Sequence, residues 1–348
     1  MPDSLTIAFD LEHERQASAG VTRCARALAS AMSERAGVSL VPIGGGPLIA
    51  RGSLRKKLTT ARQDFWWYPF EGRRRARAAR ADVYHCPSPR APVTAGNPPT
   101  VVTIYDLASF RYPETLTRWT RFYERATLPR VARSADLIIA PSSDTAADIE
   151  QILRVSSSKI RIVPLGVDAH FFVRDNSGSP FSFPYVLFVG TPQPRKNLER
   201  LVSAIDRLAS AGRQLRLVVA GSDGWGAVDL EGRNVTVVGR VTDDQLRTLY
   251  RHAKCVALVS LHEGFGLPVL EAMAVGVPVV ASTAGALPET AGGAAVLVDP
   301  FDVKSIASGI EEAVARRDVL VSAGLRRAAA CSWRKAAELT VAVYRELV

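Results

Sequence analysis

Two glutamates, Glu263 and Glu271, lie eight positions apart on either side of the turn in the segment LHEGFGLPVLEA (261–272). The apolar run before it, CVALVS (255–260), predicts a buried strand, and Pro268 favours the start of a helix after the turn. Backbone N–H groups at such a helix start bind anions, and a carboxylate one turn later can accept hydrogen bonds from a ribose diol. The segment predicts a site for a ligand that carries both phosphate and sugar. The alternative is a plain strand-to-helix turn flanked by two solvated acids.

A second loop with ligand-binding chemistry follows the apolar run YVLFVG (185–190). It contains the adjacent cations Arg195 and Lys196. Arginine offers a planar fork for phosphate oxygens, and lysine offers a compact charge. A polar loop in which Asn197 caps the next helix is the structural alternative, and both interpretations can hold together. Two anion sites in one domain predict a nucleoside diphosphate ligand.

Short apolar runs alternate with helical patterns along the first half of the chain, as in a parallel sheet covered by helices on both faces. The predicted strands are 5–9, 38–43, 82–86, 100–104, 136–140 and 160–164, and the predicted helices include 22–35, 119–135 and 142–154.

A stretch rich in Asp, Asn, Ser, Gly and Pro (168–184) interrupts this rhythm and predicts a linker. The series then resumes, with predicted strands at 185–190, 215–221, 234–239, 255–260, 277–282 and 294–299, and with predicted helices at 198–212, 243–253 and 331–348.

The fold class that these elements predict is α/β, with two doubly wound parallel-sheet domains that face each other across a cleft. The predicted N-terminal domain is 1–167, onto which the final helix packs back, and the C-terminal domain is 185–330. Ligands of such sheets bind beyond the carboxyl ends of the strands, so the cleft is the expected site.

Three segments of the second half, VGTPQPRKNLERL, VVGRVTDDQLRTLY and LHEGFGLPVLEAMAVGVPVVAS, resemble the donor-binding domain of family 4 glycosyltransferases. The looser match of the first half includes VTIYDLASFRYPE, and the closing helix matches at Trp333, Ala336, Thr340 and Tyr344. The resemblance implies the GT-B fold and a retaining transferase that uses a nucleotide sugar, with GDP-mannose as the preferred donor.

The resemblance also implies roles for individual residues. Arg195 and Lys196 would hold the diphosphate and stabilise the departing nucleotide, and Glu271 would bind the ribose. The sugar and its phosphate would face Glu263 and the turn formed by Gly264, Phe265, Gly266 and Leu267. Backbone groups around Val241 (239–242) would contact the base, and Gly20, in the glycine loop SAGVTR (18–23), is expected to approach the phosphate.

One position departs from the family pattern. Members of the family commonly have T-I-H-D-L where this chain has TIYDL (103–107), so Tyr105 replaces a histidine expected near the reacting sugar. Tyrosine titrates near ~10 instead of ~6.5 and cannot be the same acid–base group. Either that role is dispensable, or Asp106 takes part of it, or activity is weakened; Tyr105 as a packing residue is equally open. His85 is a weaker candidate for reaching the cleft.

Two motifs that are absent from the sequence limit the cofactors that the protein is expected to use. There is no D-x-D triplet, and Asp243–Asp244 fits a helix N-terminus, so we expect no metal and no other cofactor besides the sugar donor. The lack of a G-x-G-x-x-G after the first strand disfavours a nicotinamide dehydrogenase.

The four cysteines are far apart, which predicts reduced, buried thiols. No signal peptide or membrane span is predicted, which favours the cytoplasm.

The basic excess is concentrated in the first half, where residues 1–165 carry a net charge of +9 out of the +10 of the whole chain. The segment 51–80 alone has ten Lys and Arg against two acidic residues. Its central aromatic residues are Trp66, Trp67, Tyr68 and Phe70. Cations around amphipathic aromatics suit an anionic membrane interface. A helix pair with aromatics packed on the sheet is the main alternative, and nucleic acid is disfavoured.

The resemblance, together with the site residues, implies a retaining glycosyltransferase that moves a hexose, preferably mannose, from a nucleoside diphosphate sugar to a hydroxyl of a lipid-linked or surface glycan. The enzyme would work in the cytoplasm, peripherally on the inner face of the membrane. A nucleotide-sugar epimerase on the same fold, and a sugar-nucleotide-binding protein without catalysis, are the alternatives.

Overall fold

The computed structural model describes residues 4–15, 19–46, 54–115, 118–173, 177–222 and 234–348. The chain divides into two compact units, one formed by Met1–Gly166 with Trp333–Val348 and the other by Val167–Ser332.

The first unit contains a six-stranded parallel sheet in the order β2-β1-β3-β4-β5-β6. Its strands are β1 (Leu5–Asp10), β2 (Val38–Ile43), β3 (Val83–Cys86), β4 (Thr100–Thr103), β5 (Leu137–Ala140) and β6 (Ile160–Ile162). Strands β3, β4 and β5 are buried at every position, which explains why they lack an alternation of apolar and polar residues.

Helices connect these strands: α1 (Ala19–Ser33), α2 (Leu54–Arg62), α3 (Gly72–Ala78), α4 (Ala108–Arg111), α5 (Arg118–Ser134) and α6 (Ser143–Leu153). A nine-residue π-helix (Gln63–Glu71) joins α2 to α3 and contains Pro69. This widened turn was not predicted. Proline removes a backbone donor and disrupts the ordinary α-helical ladder.

The second unit contains a six-stranded parallel sheet in the order β12-β11-β10-β7-β8-β9. Its strands are β7 (Tyr185–Val189), β8 (Arg216–Ala220), β9 (Val235–Gly239), β10 (Cys255–Leu258), β11 (Val279–Ser282) and β12 (Val296–Val298). Its helices are α7 (Leu198–Ser210), α8 (Asp243–His252), α9 (Leu267–Val275), α10 (Leu287–Ala291), α11 (Val303–Ala315) and α12 (Arg317–Ala330). The predicted strands are all present and are shorter by up to three residues.

The last helix, α13 (Trp333–Arg345), belongs to the first unit. The Tyr344 hydroxyl lies 2.6 Å from Nδ1 of His85, whose Nε2 lies 2.9 Å from Oγ1 of Thr103. Burial lowers the pKa of His85 to about 3, so the ring is neutral. His85 thus connects the sheet to α13. Its side chain makes these contacts within the first unit, so the weaker alternative that it reaches the cleft does not hold.

The predicted linker is not a free spacer in its described part. Phe171 is buried with its ring edge-on to Tyr250, at 5.9 Å between centroids, and the carbonyl of His170 accepts a hydrogen bond from Arg247. Its beginning therefore packs on α8 of the second unit, because Phe171 supplies an apolar anchor within the polar stretch.

Two predictions about composition can be compared with the structure directly. All four cysteines are free and buried, as expected. Within the described residues, none of the helices has both the length and the apolar character needed to cross a membrane.

The basic aromatic segment divides into buried and exposed residues. Trp67 and Tyr68 are buried, and Nε1 of Trp67 donates to Oδ2 of Asp10 at 3.0 Å, so the prediction that they face a membrane is wrong. Trp66 and Phe70 are exposed. Arg51 and the side chains of Arg55, Lys56 and Lys57 lie outside the described residues.

Candidate active site

Glu263 is the centre of a charged cluster in the second unit. Its side chain is buried, and its Oε1 accepts hydrogen bonds from Nζ of Lys196 and, at 2.7 Å, from Oγ of Ser260. Its other oxygen, Oε2, accepts from Nη1 of Arg195 at 3.1 Å. One carboxylate therefore holds both cations that the sequence predicts as phosphate ligands.

The sheet order explains why these residues meet. Strands β7 and β10 are parallel neighbours, so the loops after them leave the same edge of the sheet. The N–H of Leu261 donates to the carbonyl of Arg195 at 2.8 Å, and Nη1 of Arg195 donates to the carbonyl of His262 at 2.9 Å. Backbone and side-chain bonds together fix the two loops side by side.

Two basic side chains share the carboxylate of Glu263. Burial alone would raise the pKa of Glu263, but the charges of Lys196 and Arg195 outweigh it and lower that pKa to about 2. Glu263 is therefore an anion at neutral pH. Cationic side chains at the carboxyl edge of a parallel sheet can bind an anionic ligand.

Asn197 has a different role from the predicted one. It stands at the start of α7 in the left-handed conformation with φ 58°, and its side chain makes no cap hydrogen bond to that helix. Instead Nδ2 donates to the carbonyls of Val259 at 3.0 Å and Pro300 at 2.7 Å. Asparagine tolerates this backbone conformation better than most residues, so its amide can join three loops and support Arg195 and Lys196.

Two glycines allow two backbone segments to approach each other closely beside the cations, and sequence reasoning missed this pair. A Cβ atom at Gly221, just after β8, would lie 2.1 Å from the carbonyl oxygen of Gly190, just after β7. The following side chains meet as well, with 2.8 Å between the hydroxyl oxygens of Thr191 and Ser222. The signal was present in the sequence as a glycine immediately after each of two strands.

The turn after Glu263 is built from buried residues. Gly266 has φ +95°, a conformation that favours glycine, and a Cβ there would lie 2.5 Å from a methyl carbon of Leu287. The ring of Phe265 is buried, and its carbonyl accepts from Oγ1 of Thr290 at 2.5 Å. Leu267 begins α9 directly after the turn.

Glu271 lies in the second turn of α9 and is buried. The hydroxyl of Tyr250 donates to Oε2 of Glu271 at 2.8 Å. Since both Glu263 and Glu271 are buried and hydrogen-bonded, the alternative of two solvated acids around a plain turn is wrong. Tyr250, on α8, was not predicted as a partner because no local pattern connects it with position 271.

The predicted base-contacting region follows β9. Gly239 has φ +70°, and Thr242 forms a capping box with Gln245 at the start of α8. Asp243 and Asp244 occupy the first turn of that helix, as expected from the sequence. Val241 lies between these features and is half-buried.

The remaining predicted residues belong to the first unit. Burial, followed by the nearby Cys24 thiol, raises the pKa of Tyr105 well above its usual range. Oδ1 of Asp106 accepts from the N–H of Ala108 at 3.0 Å, which places this carboxylate at the start of α4. Gly20 is exposed in the first turn of α1, and Ser18, at the start of the predicted glycine loop, lies outside the described residues.

Comparison with known proteins gives the family. Residues 18–171 match the family model described as Glycosyltransferase Family 4, and residues 183–316 match that described as Glycosyl transferases group 1. An O-antigen chain mannosyltransferase B of Escherichia coli is 30% identical over 285 residues, which cover 76% of this chain and 74% of the relative. The chain belongs to glycosyltransferase family 4.

Another relative of this family 4 glycosyltransferase is the MMP alpha-(1->4)-mannosyltransferase of Mycolicibacterium hassiacum, 33% identical over 244 residues. That match covers 66% of this chain and 58% of the relative. The chain thus spans little more than half of that relative's length.

Solved structures give the fold. A sucrose-phosphate synthase from Thermosynechococcus elongatus aligns with a TM-score of 0.70 at 22% identity, over 99% of each chain. Anabaena HepE in complex with UDP-glucose aligns with a TM-score of 0.69 at 18% identity, over 99% of this chain and 98% of that one. With its two six-stranded parallel sheets, the glycosyltransferase has the predicted GT-B fold.

Proposed function

We propose that this glycosyltransferase transfers a mannosyl residue from a nucleoside diphosphate sugar, preferably GDP-mannose, to an acceptor hydroxyl with retention of configuration. The observation that carries the proposal is the cluster of buried Glu263 with half-buried Arg195 and Lys196 at the carboxyl edge of the second sheet. Relatives named as mannosyltransferases support the choice of sugar. They favour transfer over the alternative of a nucleotide-sugar epimerase.

The cluster fits the charge that develops when the sugar–phosphate bond breaks. The departing nucleoside diphosphate gains negative charge, and fixed cations stabilise it without reorganisation. Arg195 and Lys196 are held in place before the ligand arrives, because Glu263 and the backbone carbonyl of His262 already orient them. We propose that these two cations make a metal ion unnecessary.

The other site residues take positions around the same donor in this proposal. Glu271, oriented by Tyr250, binds the ribose diol, and backbone groups near Val241 contact the base. Glu263 and the turn at 264–266 face the sugar and its phosphate. Gly20 of the first unit approaches the phosphate.

Tyr105 and Asp106 stand where the family pattern has histidine and aspartate, and we propose that they face the acceptor side of the reaction. Tyr105 cannot serve as the titrating group, because burial keeps its hydroxyl protonated at neutral pH. Asp106 keeps one oxygen engaged by the N–H of Ala108 and can use the other for a hydroxyl group.

The proposed acceptor is a lipid-linked or surface glycan, and the proposed location is the cytoplasmic face of a membrane reached through residues 51–80. The name of the Escherichia coli relative, an O-antigen chain mannosyltransferase, supports a polysaccharide acceptor. Exposed Trp66 and Phe70 support the membrane contact, and no nucleic-acid partner is proposed.

The test is a thermal-shift screen of nucleoside diphosphate sugars, followed by product analysis with the donor that binds. A donor at 100 times its Kd should stabilise the protein by ~2.7 kcal/mol. Transfer to a glycan acceptor with retained configuration supports the proposal. An epimerised nucleotide sugar, or binding without transfer or hydrolysis, would overturn it in favour of one of the two alternatives.

A further inference from the structure

Two neighbouring parts of the first unit expose large aromatic side chains. The π-helix exposes Phe65, Trp66 and Phe70, and α5 exposes Trp119 and Phe122, all between 52% and 68%. Within each part the rings contact one another, with centroid distances of 6.1 Å for Trp66–Phe70 and 6.3 Å for Trp119–Phe122. Contiguous exposed aromatics of this kind mark a binding surface, whereas single exposed apolar residues do not.

Arg90 fixes the two parts to each other. Its Nη1 donates to Oδ1 of Asp64, in the π-helix, at 2.6 Å, and its guanidinium lies 5.1 Å from the ring centroid of Tyr123, on α5. Asp64 is buried. Since one arginine bonds both parts at once, the two aromatic pairs have a fixed relative position before any partner binds.

Part of the positive charge in the predicted segment 51–80 is engaged within the first unit. Arg74 and Arg75 both pair with Glu71, at 2.7 and 2.8 Å, and Arg73 is buried against the carbonyl of Thr94. These three arginines already have partners in the fold.

Helix α5 has five arginines and one acidic residue. Among the described residues, neither Arg121 nor Arg125 has a carboxylate within ion-pair distance, and together with Phe122 they line a surface depression of about 440 Å³. Like charges four positions apart destabilise a helix, so this arrangement has a cost that an anionic partner offsets.

We propose that α5 and the π-helix form one preformed surface that docks on a bilayer containing anionic phospholipid. Trp66, Phe70, Trp119 and Phe122 insert at the level of the headgroups, and Arg121 and Arg125 bind lipid phosphates. Aromatic and long cationic side chains are suited to this boundary, where one end of each side chain is apolar and the other polar. This inference rests on the membrane contact of the proposed function and adds the arginines of α5 to it.

The test is sedimentation of the full chain with vesicles of phosphatidylcholine, with and without phosphatidylglycerol. Wild type should bind the anionic vesicles, and less so as salt rises, because the Debye length is only ~8 Å at physiological salt. Arg121→Gln/Arg125→Gln should bind them about 30-fold more weakly, since each surface arginine contributes ~1 kcal/mol. The matched control is Arg316→Gln/Arg326→Gln, which removes the same charge from exposed positions of the second unit.

Aromatic variants separate the two parts of the surface. Trp119→Ala/Phe122→Ala and Phe65→Ala/Trp66→Ala should each weaken binding to both kinds of vesicle, and these two aromatic variants should keep the wild-type Tm because their side chains are exposed. Equal losses in the two arginine pairs, or no vesicle binding by wild type, would overturn the inference. Loss only in Phe65→Ala/Trp66→Ala would overturn the role of α5 while the proposed membrane contact stands. Transfer to a water-soluble acceptor should stay unchanged in every variant, which distinguishes this surface from the proposed activity.

Discussion

The guanidinium of Arg195 and the buried carboxylate of Glu263 form an ion pair, with 3.1 Å between Nη1 and Oε2. Lys196 occupies the other carboxylate oxygen. A diphosphate that enters this site must share both cations with Glu263 or take them from it. The ion pairs therefore preorganise the cations and also moderate their affinity for phosphate, and these two effects can be measured separately.

Replacement of either cation should impair use of the donor. Lys196→Ala or Arg195→Ala removes a charge-assisted hydrogen bond to phosphate, which contributes ~1.5–3 kcal/mol. We expect kcat/KM for the donor to fall by about 10- to 150-fold. The measurement is initial-rate kinetics with varied donor.

Arg213→Ala is the matched control for this pair. Arg213 forms an exposed ion pair with Glu311 in the same unit, at 2.9 Å. Its loss should leave donor kinetics unchanged, because exposed pairs contribute little. Full turnover in both Lys196→Ala and Arg195→Ala would remove the assignment of these residues to the diphosphate.

Glu263→Gln should separate binding from chemistry. Without the carboxylate, Lys196 and Arg195 lose their shared counter-charge in a buried setting, where charges interact strongly. We expect nucleoside diphosphate to bind at least about tenfold more tightly and glycosyl transfer to slow, because the product is held and the sugar loses its carboxylate. Calorimetric titration with nucleoside diphosphate, together with turnover, measures both. Weaker binding of the diphosphate would mean that Glu263 is needed to hold the cations in a binding geometry.

Acid should reveal the stabilising contribution of the same carboxylate. The pKa of Glu263 is lowered from 4.5 to about 2, so its contribution to the free energy of unfolding is complete above the ordinary value and is lost as the pH falls from there towards 2. The contribution is ~3 kcal/mol at most. Denaturant unfolding of wild type and Glu263→Gln along this range should show the two stabilities converging at low pH. Parallel curves would indicate that the ionisation of Glu263 does not stabilise the fold.

Much of this site could be predicted from the positions at which the apolar runs of the sequence end. Arg195 and Glu263 are 68 positions apart, yet each follows an apolar run, and the carboxyl ends of parallel strands share one edge of a sheet. The strands were predictable for a related reason, since buried strands are continuous apolar runs. That Glu263 binds the two cations was not predictable, because a polar pairing across loops leaves no periodic signal.

The contacts of Asp10 illustrate what sequence patterns do not contain. This buried carboxylate accepts from Nε1 of Trp67 and, at 2.5 Å, from the hydroxyl of Tyr84, which are 57 and 74 positions away. From the sequence alone, Trp66 and Trp67 are two neighbouring amphipathic aromatics with the same expected surroundings. The structure gives them opposite surroundings because the π-helix turns one ring towards Asp10 and the other towards solvent.

The two tryptophans should therefore respond differently to substitution. Trp67→Phe keeps most of the buried ring but removes a donor from the Asp10 carboxylate, so we expect a loss of ~1–3 kcal/mol in the free energy of unfolding. Trp66→Ala, at an exposed position, should change stability by less than ~0.5 kcal/mol. Denaturant unfolding of the two single variants measures this, and equal losses would contradict the burial of Trp67.

The departure at Tyr105 allows a direct test of the family pattern. Tyr105→His restores the histidine that family members commonly have, and we expect the variant to keep its transfer activity or to gain activity. The reason is that an imidazole exchanges a proton at a much lower pH than a phenol does, whereas burial raises the pKa of the Tyr105 hydroxyl well above its usual range. Tyr105→Phe is the control, since it keeps the ring and removes only the hydroxyl. Transfer rates across pH should show a new ionisation in the histidine variant alone, and it should lie below ~6.5 because burial lowers the pKa of an imidazole. A loss of about tenfold or more in Tyr105→His, equivalent to ~1.4 kcal/mol of transition-state stabilisation, would instead mean that the tyrosine has an adapted role of its own. In that case Tyr105→Phe distinguishes a hydrogen-bonding role, which it abolishes, from a packing role, which it preserves.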